Sequence, residues 1–239
     1  MRDTRTHRLV AVVAIILATI ISTTAVVRAV APDDKISHVR GVVLFVGDSN
    51  VTLAGGNILY ASSWDATHEP YPYVPMLAPK VGASVRSWDC PVVAGCTTTE
   101  FWSTKLAEIF DNGHPDAVVL NLGINDARYA GTETTPGYSK YPKKIAWFMA
   151  LIPPDVEVFW TNLPCNIQPP DFQTGCNGIN YALALADSTF PNLTVVGWAA
   201  RASGHPEYMQ APGTDVHLSP AGTSAWTNLV IQAIDARFT

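Results

Sequence analysis

The stretch Val42-Val43-Leu44-Phe45-Val46-Gly47-Asp48-Ser49-Asn50 decides the fold of this chain. Its first five residues are apolar and mostly β-branched or aromatic, which predicts a buried strand, and Gly47 ends that strand in polar residues. In open α/β sheets, ligands bind at the carboxyl ends of the parallel strands. The stretch therefore predicts a parallel sheet that presents the Ser49 hydroxyl at the edge where ligands bind.

Similar apolar runs follow along the chain, and segments with apolar residues at helical spacing lie between them. The five predicted strands are residues 41–46, 83–88, 116–122, 156–161 and 193–197. The four predicted helices are residues 98–110, 141–151, 177–189 and 219–237. Because strand–helix alternation is typical of a parallel sheet covered on both faces, we expect one α/β domain over residues 41–239, with a linker at residues 32–40.

The N-terminal residues 1–31 predict export. Arg2, Arg5 and Arg8 precede an apolar stretch, which is the order of a secretory signal. The pattern Ala29-Val30-Ala31 favours cleavage, whereas a stretch close to the ~20 residues of a spanning helix favours a signal anchor. Either alternative predicts a secreted or cell-envelope protein that meets the membrane only through this segment.

Charge and cysteines narrow the class of protein further. The formal net charge of −5 comes without a basic stripe, so we expect no nucleic-acid partner. An even number of four cysteines in an exported chain suggests two disulfides. Of the three connectivities, Cys90–Cys96 and Cys165–Cys176 close short loops, and we expect these pairs. No spacing typical of a metal site occurs, so we expect no bound metal.

The segment Asp215-Val216-His217 carries a base and an acid of the kind that a serine nucleophile needs. An unactivated serine hydroxyl attacks poorly unless a base removes its proton and an acid orients that base. We expect His217 to accept the proton of Ser49 and Asp215 to hold the imidazole.

Donors for an oxyanion are predicted elsewhere in the chain. The segment Gly123-Ile124-Asn125-Asp126 follows a predicted strand and brings the carboxamide of Asn125 to the same edge of the sheet. The backbone N–H groups of Ser49 and Gly95 would complete the set. Such donors stabilise the negative charge that develops on a carbonyl oxygen under attack.

These segments, in this order, resemble the SGNH or GDSL hydrolase family from about Val42 to the C terminus. The GDS box at residues 47–49, the GxND box at residues 123–126 and the run of residues 217–222 carry the resemblance. It implies a flavodoxin-like, three-layer α/β/α domain and a mechanism that requires no metal or organic cofactor. It also implies site residues, which are the nucleophile Ser49, the oxyanion-hole residues Gly95 and Asn125, and the triad partners Asp215 and His217.

Two positions depart from the pattern of that family. The family commonly places its Asp three residues before the His, where this chain has Thr214, and a threonine cannot stabilise an imidazolium by charge. Either Asp215 serves from two residues before His217, which we favour, or the site is a Ser–His dyad. Asn50 replaces the usual leucine and begins a glycosylation acceptor pattern. A glycan beside the nucleophile conflicts with activity, which favours a bacterial protein.

Together these observations favour a serine esterase that hydrolyses carboxylic esters of a small molecule or a carbohydrate through an acyl-enzyme on Ser49. An O-acyltransferase or a deacetylase of envelope carbohydrate would use the same acyl-enzyme. The displaced Asp also leaves a non-catalytic binding module open. Residues 127–140 and 164–176 lack periodicity and follow predicted strands, so we expect them to be substrate-binding loops over the same sheet edge.

Overall fold

The computed structural model describes residues 41–63, 73–79, 83–85, 102–130 and 141–238. Strands in these residues form one parallel sheet of five, in the order β2-β1-β3-β4-β5. The strands are β1 (Gly41–Gly47), β2 (Tyr73–Pro79), β3 (Ala117–Asn121), β4 (Glu157–Thr161) and β5 (Leu193–Val196). This is the flavodoxin order, in which the chain reverses its direction across the sheet between β1 and β3. The predicted α/β class and the five-stranded parallel sheet are confirmed.

Helices cover both faces of the sheet. They are α1 (Ser49–Ser63), α2 (Trp102–Gly113), α3 (Ile124–Ala130), α4 (Tyr141–Met149), α5 (Pro170–Asp187), α6 (Trp198–Ala202) and α7 (Pro220–Phe238). Two 3-10 turns, Cys165–Ile167 and Pro206–Tyr208, lie between them. The four predicted helices correspond to α2, α4, α5 and α7, although α5 begins at Pro170 instead of residue 177. Proline suits this start, because the first helical residue has no partner for its N–H.

The alternation of side chains along β1 explains the three layers. Leu44 and Val46 pack into one core with residues of α2, α4 and α5, whereas Val43 and Phe45 pack into a second core with residues of α1 and α7. All four side chains are at most 2% exposed. Because full burial of such a side chain is worth about 1.5–3 kcal/mol, both faces of the strand favour a cover of helices.

The second predicted strand is wrong. Residues 83–85 are buried but lie outside the sheet, and residues 86–88 are outside the described part of the chain. The edge position belongs instead to β2, which contains Pro75 and Pro79. Proline has no N–H to donate and therefore argues against a strand, but an edge strand that pairs only with β1 tolerates it.

Helix α1 was not predicted from the sequence. It contains Gly55 and Gly56, and glycine lowers helix propensity by about 1 kcal/mol per residue relative to alanine. Its buried residues Val51, Ala54 and Ile58 face one core of the sheet at helical spacing. Tertiary packing of this apolar face therefore outweighs the weak local preference.

The loop predicted at residues 164–176 is wrong, because this segment forms the turn Cys165–Ile167 and the start of α5. The structure contains the Cys165–Cys176 disulfide, which joins that turn to the helix. Of the loop predicted at residues 127–140, the first four residues complete α3 and the rest lie outside the described residues. The predicted Cys90–Cys96 pair, the linker and the N-terminal segment also lie outside them. Within the described ranges, no helix is long and apolar enough to cross a membrane.

Candidate active site

Ser49 lies at the carboxyl end of β1, where the strand passes directly into α1. The turn is tight at Gly47, because a Cβ atom there would overlap the side chain of Val51 and lie 2.9 Å from the carbonyl oxygen of Asn121. Asp48 is completely buried, whereas Ser49 is partly exposed. The turn therefore presents the serine hydroxyl and buries the carboxyl group that precedes it.

The predicted base, His217, and the predicted acid, Asp215, lie together on the loop before α7. Nδ1 of His217 is 2.6 Å from Oδ1 of Asp215, and the same carboxylate oxygen accepts a hydrogen bond of 3.1 Å from the backbone N–H of His217. The hydroxyl of Thr214 instead donates to the carbonyl oxygen of Ala211 at 3.1 Å. The structure thus brings Asp215, and not Thr214, to the imidazole, and leaves Nε2 as the ring nitrogen that can face a nucleophile.

The protonation of Asp215 follows from these contacts. Burial raises the pKa of its carboxyl group, but the hydrogen bonds from the ring and the backbone of His217 outweigh burial, and the net pKa lies below the usual value. Asp215 is therefore ionised at neutral pH. An ionised carboxylate at Nδ1 orients the imidazole and stabilises its protonated form.

Asn50 connects this loop to the turn that carries Ser49. Its Oδ1 accepts a hydrogen bond of 2.9 Å from the backbone N–H of Leu218, and its Nδ2 donates to the carbonyl oxygen of Val216 at 3.3 Å. These two residues flank His217, just as Asn50 flanks Ser49. Within the described residues, no direct hydrogen bond joins Oγ of Ser49 to the imidazole. In ligand-free enzymes such bonds often tighten only when substrate binds.

The carboxyl group of Asp48 has a strongly shifted pKa. Burial raises this pKa to about 7, against the lowering effects of the Asn50 N–H at 2.9 Å and of the charge on His217, while Asp126 raises it further. No sequence pattern signals this pKa, because it comes from burial in the folded protein.

Asn125 lies on the first turn of α3, after β3. Gly123 precedes it with a φ of +125°, a backbone conformation that favours glycine. Nδ2 of Asn125 donates to the carbonyl oxygen of Ala83 at 2.8 Å and lies 3.4 Å from Oδ2 of Asp48. The carboxamide therefore reaches the turn that carries Ser49. The other predicted oxyanion residue, Gly95, lies outside the described residues.

The neighbour of Asn125 supports this part of the site. Oδ2 of Asp126 accepts a hydrogen bond of 2.7 Å from the backbone N–H of Val85. The indole N–H of Trp102 donates to the carbonyl oxygen of Ser84 at 2.8 Å. Residues 83–85, predicted as part of a strand, instead form a buried segment held beside the carboxamide of Asn125.

No protein-family profile and no curated protein matches the chain. Solved structures, however, share its architecture. Among solved structures, the C-terminal catalytic domain of peptidoglycan O-acetyltransferase A from Streptococcus pneumoniae is similar, with a TM-score of 0.53 and 14% identity over 81% of this chain and 92% of that one.

Two further solved structures are similar over nearly their full length. The lipase/acylhydrolase from Enterococcus faecalis has a TM-score of 0.53 and 17% identity, over 82% of this chain and 96% of that one. The GDSL-like lipase from Bacteroides thetaiotaomicron has a TM-score of 0.55 and 16% identity, over 88% and 94%. The chain therefore shares its fold with these three structures, one of which is a GDSL-like lipase.

Proposed function

We propose that this protein is a serine esterase that hydrolyses carboxylic esters through an acyl-enzyme on Ser49. The observation that carries the proposal is the connection through Asn50 between the Asp215–His217 pair and the turn that bears Ser49. This connection joins a nucleophile to a base and an orienting acid that are far from it in the sequence. The fold shared with acylhydrolases and a lipase supports the same reaction class.

Acylation uses each of these groups once. Oγ of Ser49 attacks the ester carbonyl carbon while Nε2 of His217 takes the hydroxyl proton, and the ionised Asp215 stabilises the imidazolium. The carbonyl π bond opens, and its oxygen becomes an oxyanion. When the carbonyl re-forms, the bond to the alcohol breaks and His217 returns the proton to the departing alcohol oxygen.

Asn125 would stabilise the oxyanion through its carboxamide. One of its two Nδ2 hydrogens bonds the carbonyl oxygen of Ala83, while the second makes only the longer contact of 3.4 Å with Asp48. A developing oxyanion is a stronger acceptor than this distant carboxyl oxygen. It would therefore take over the second hydrogen, together with the backbone N–H of Ser49.

Deacylation repeats the chemistry with a second nucleophile. His217 removes a proton from water, the hydroxide oxygen bonds to the acyl carbon, and the proton then passes to Oγ of Ser49 as that bond breaks. The products are a carboxylic acid and the free serine. The Cys165–Cys176 disulfide supports a location outside the cytoplasm, so we place this reaction in the secreted or cell-envelope space.

A second candidate is an O-acyltransferase or a deacetylase that acts on envelope carbohydrate. The similarity to the catalytic domain of a peptidoglycan O-acetyltransferase favours it. In a transferase, a sugar hydroxyl would take the place of water in the second step, with the same roles for His217 and Ser49. Product analysis with water and a sugar acceptor in competition separates hydrolysis from transfer.

A fluorophosphonate probe and p-nitrophenyl acetate test the esterase proposal. We expect the probe to label the native protein, and we expect Ser49→Ala to lose the label together with about 10³-fold or more in kcat/KM. Native protein that takes no label and does not hydrolyse the ester, or a Ser49→Ala variant as active as the native protein, would contradict the proposal. A non-catalytic binding module would give the first of these results.

A further inference from the structure

We propose that Asn50 is a positioning residue that sets the distance between Ser49 and His217. This inference rests on the esterase function proposed above and deepens it. In the described residues, the hydrogen bonds of the Asn50 side chain go neither to the nucleophile oxygen nor to the imidazole. Instead, its two polar atoms hold the backbone on both sides of His217.

The geometry makes Asn50 a bridge between two short segments. It is 6% exposed, and its own backbone N–H donates to Oδ1 of the buried Asp48 at 2.9 Å. Ser49 is thus enclosed between two residues that bond each other, while His217 is enclosed between Val216 and Leu218, which bond the side chain of Asn50. A shift of either segment stretches these hydrogen bonds.

Other hydrogen bonds of the His217 loop lead away from the serine. The backbone N–H of Gln210 donates to the carbonyl oxygen of His217 at 2.9 Å, and the backbone N–H of Ser219 donates to that of Tyr208 at 2.8 Å. Among the described residues, the hydrogen bonds that join residues 215–219 to residues 47–50 are the two made by the side chain of Asn50. The position of the base relative to the nucleophile therefore depends on this side chain.

Packing also places this loop but supplies no partners for its backbone groups. Leu218 is 3% exposed and belongs to one core of the sheet, whereas Val216 packs against the other core. The hydrogen bonds of Asn50 add direction to these non-directional contacts.

The two hydrogen bonds of the Asn50 side chain explain why a leucine does not suit position 50. Leucine has a similar size but no polar atoms, and it would leave the N–H of Leu218 and the carbonyl oxygen of Val216 without their partner. An unsatisfied buried group of this kind costs about 1–3 kcal/mol, so the loop would move to find another partner. Burial of the carboxamide also leaves no room for a glycan on Asn50, although residues 50–52 fit the acceptor pattern.

Three variants of the full-length protein test the proposal. Asn50→Leu removes both hydrogen bonds, while Asn50→Asp keeps the acceptor for Leu218 but loses the donor to Val216. Asn57→Leu is the matched control. It removes a bond of 2.9 Å from another α1 asparagine to Thr223 of α7, which likewise spans 166 residues but does not involve residues 215–218.

We measure kcat and KM for p-nitrophenyl acetate from pH 5 to 9, the rate of labelling by the fluorophosphonate, and the thermal unfolding midpoint. Asn50→Leu should lower kcat and the labelling rate by about 10²-fold, because misplacement of a base by about 1 Å has effects of this size. KM should stay within about threefold, since the variant leaves the substrate-binding groups in place. The pH at which the activity falls on the acid side should not move.

The kcat and labelling rate of Asn50→Asp should lie between those of Asn50→Leu and the native protein. Asn57→Leu should keep the native kcat while its unfolding midpoint falls.

A folded Asn50→Leu variant with native kcat would overturn the proposal, and so would an Asn57→Leu variant that loses as much kcat as Asn50→Leu. If Asn50→Leu does not fold, Asn50→Asp decides, since a native kcat in that variant also overturns it. The labelling of native protein and of Ser49→Ala separates this failure from that of the esterase proposal. If Ser49 is not the nucleophile, both proposals fall together.

Discussion

Oδ1 of Asp215 lies 2.6 Å from Nδ1 of His217 although Val216 alone separates the two residues in the chain. The same oxygen accepts the backbone N–H of His217, so a single carboxylate closes the local turn and orients the ring. This double contact compensates for the absence of a carboxylate at position 214. An acid two residues before the base can therefore reach Nδ1 when the turn between them is tight.

Replacement of Asp215 should impair catalysis much more than replacement of its neighbour Thr214. We expect Asp215→Asn to lower kcat/KM for p-nitrophenyl acetate by between about 10² and 10⁴, because the imidazolium loses its counter-charge and the ring its orientation. Thr214→Ala should stay within about threefold of the native protein. Steady-state kinetics on both variants measure the difference. Equal losses in the two variants would assign the role of the acid to neither residue.

Asp48→Asn should remove a loss of stability that the native protein shows as the pH rises. The folded-state pKa of about 7 exceeds the ordinary value of 3.8, so folding favours the protonated carboxyl group. The native protein therefore loses stability as the pH rises from about 4 to 7, and the loss is complete above the folded-state pKa. Asparagine does not titrate and still offers Oδ1 to the N–H of Asn50.

Thermal unfolding of native protein and Asp48→Asn at pH 5, 6, 7 and 8 checks this sign. The unfolding midpoint of the variant minus that of the native protein should increase from pH 5 to 7, and this difference should become constant near pH 8. Contributions of titrating groups that do not interact with Asp48 cancel in this difference. A difference that does not depend on pH would show that the carboxyl group of Asp48 does not titrate in this range.

Gly47→Ala should destabilise the fold and displace the nucleophile. The added Cβ atom meets the side chain of Val51 and the carbonyl oxygen of Asn121, so the strand-to-helix turn must shift. We expect a loss of about 1–3 kcal/mol in the free energy of unfolding, together with slower labelling of Ser49 by the fluorophosphonate. Gly56→Ala is the control, because no atom lies within 4 Å of its Cβ position. This helical change should be neutral or stabilise by up to about 1 kcal/mol.

Urea unfolding of these two glycine variants measures the free energies. The prediction requires the two variants to change stability in different directions or by clearly different amounts. Similar losses at both positions would mean that the turn at Gly47 can accommodate a side chain. In that case its close approach to Val51 would not determine the position of Ser49.

Removal of the Cys165–Cys176 disulfide should lower stability more than activity. The bond closes a loop with a sequence separation of 11 residues, for which the restriction of the unfolded chain is worth about 2–3 kcal/mol. The double variant Cys165→Ala/Cys176→Ala isolates this bond from any effect of reductant on other cysteines. We expect a lower unfolding midpoint with kcat/KM within about threefold of native. An unchanged midpoint would contradict a stabilising role for the bond.

Local patterns in the sequence were sufficient to predict most of the sheet. The runs of β1, β3, β4 and β5 are short and rich in β-branched or aromatic residues, and this character is visible in the residues themselves. Strand β2 was missed because its two prolines are unfavourable everywhere except at an edge, and the edge is a property of the sheet order. Helix α1 was missed for a similar reason, since its stability comes from packing against β1 and α7.

The candidate site likewise combines features that the sequence predicts with features that depend on the fold. The residues that follow β1 and β3 were sufficient to predict that Ser49 and Asn125 lie at one edge of a parallel sheet, whereas His217 was assigned to the site from its residue type and from the resemblance to a known family. Only the tertiary structure decided that Asp215 reaches the ring, that burial raises the pKa of Asp48, and that Asn50 connects the serine to the histidine. Each of these three features depends on groups that the fold brings together or on the exclusion of water. Distances in space and burial arise only when the chain folds, so local sequence patterns do not predict them.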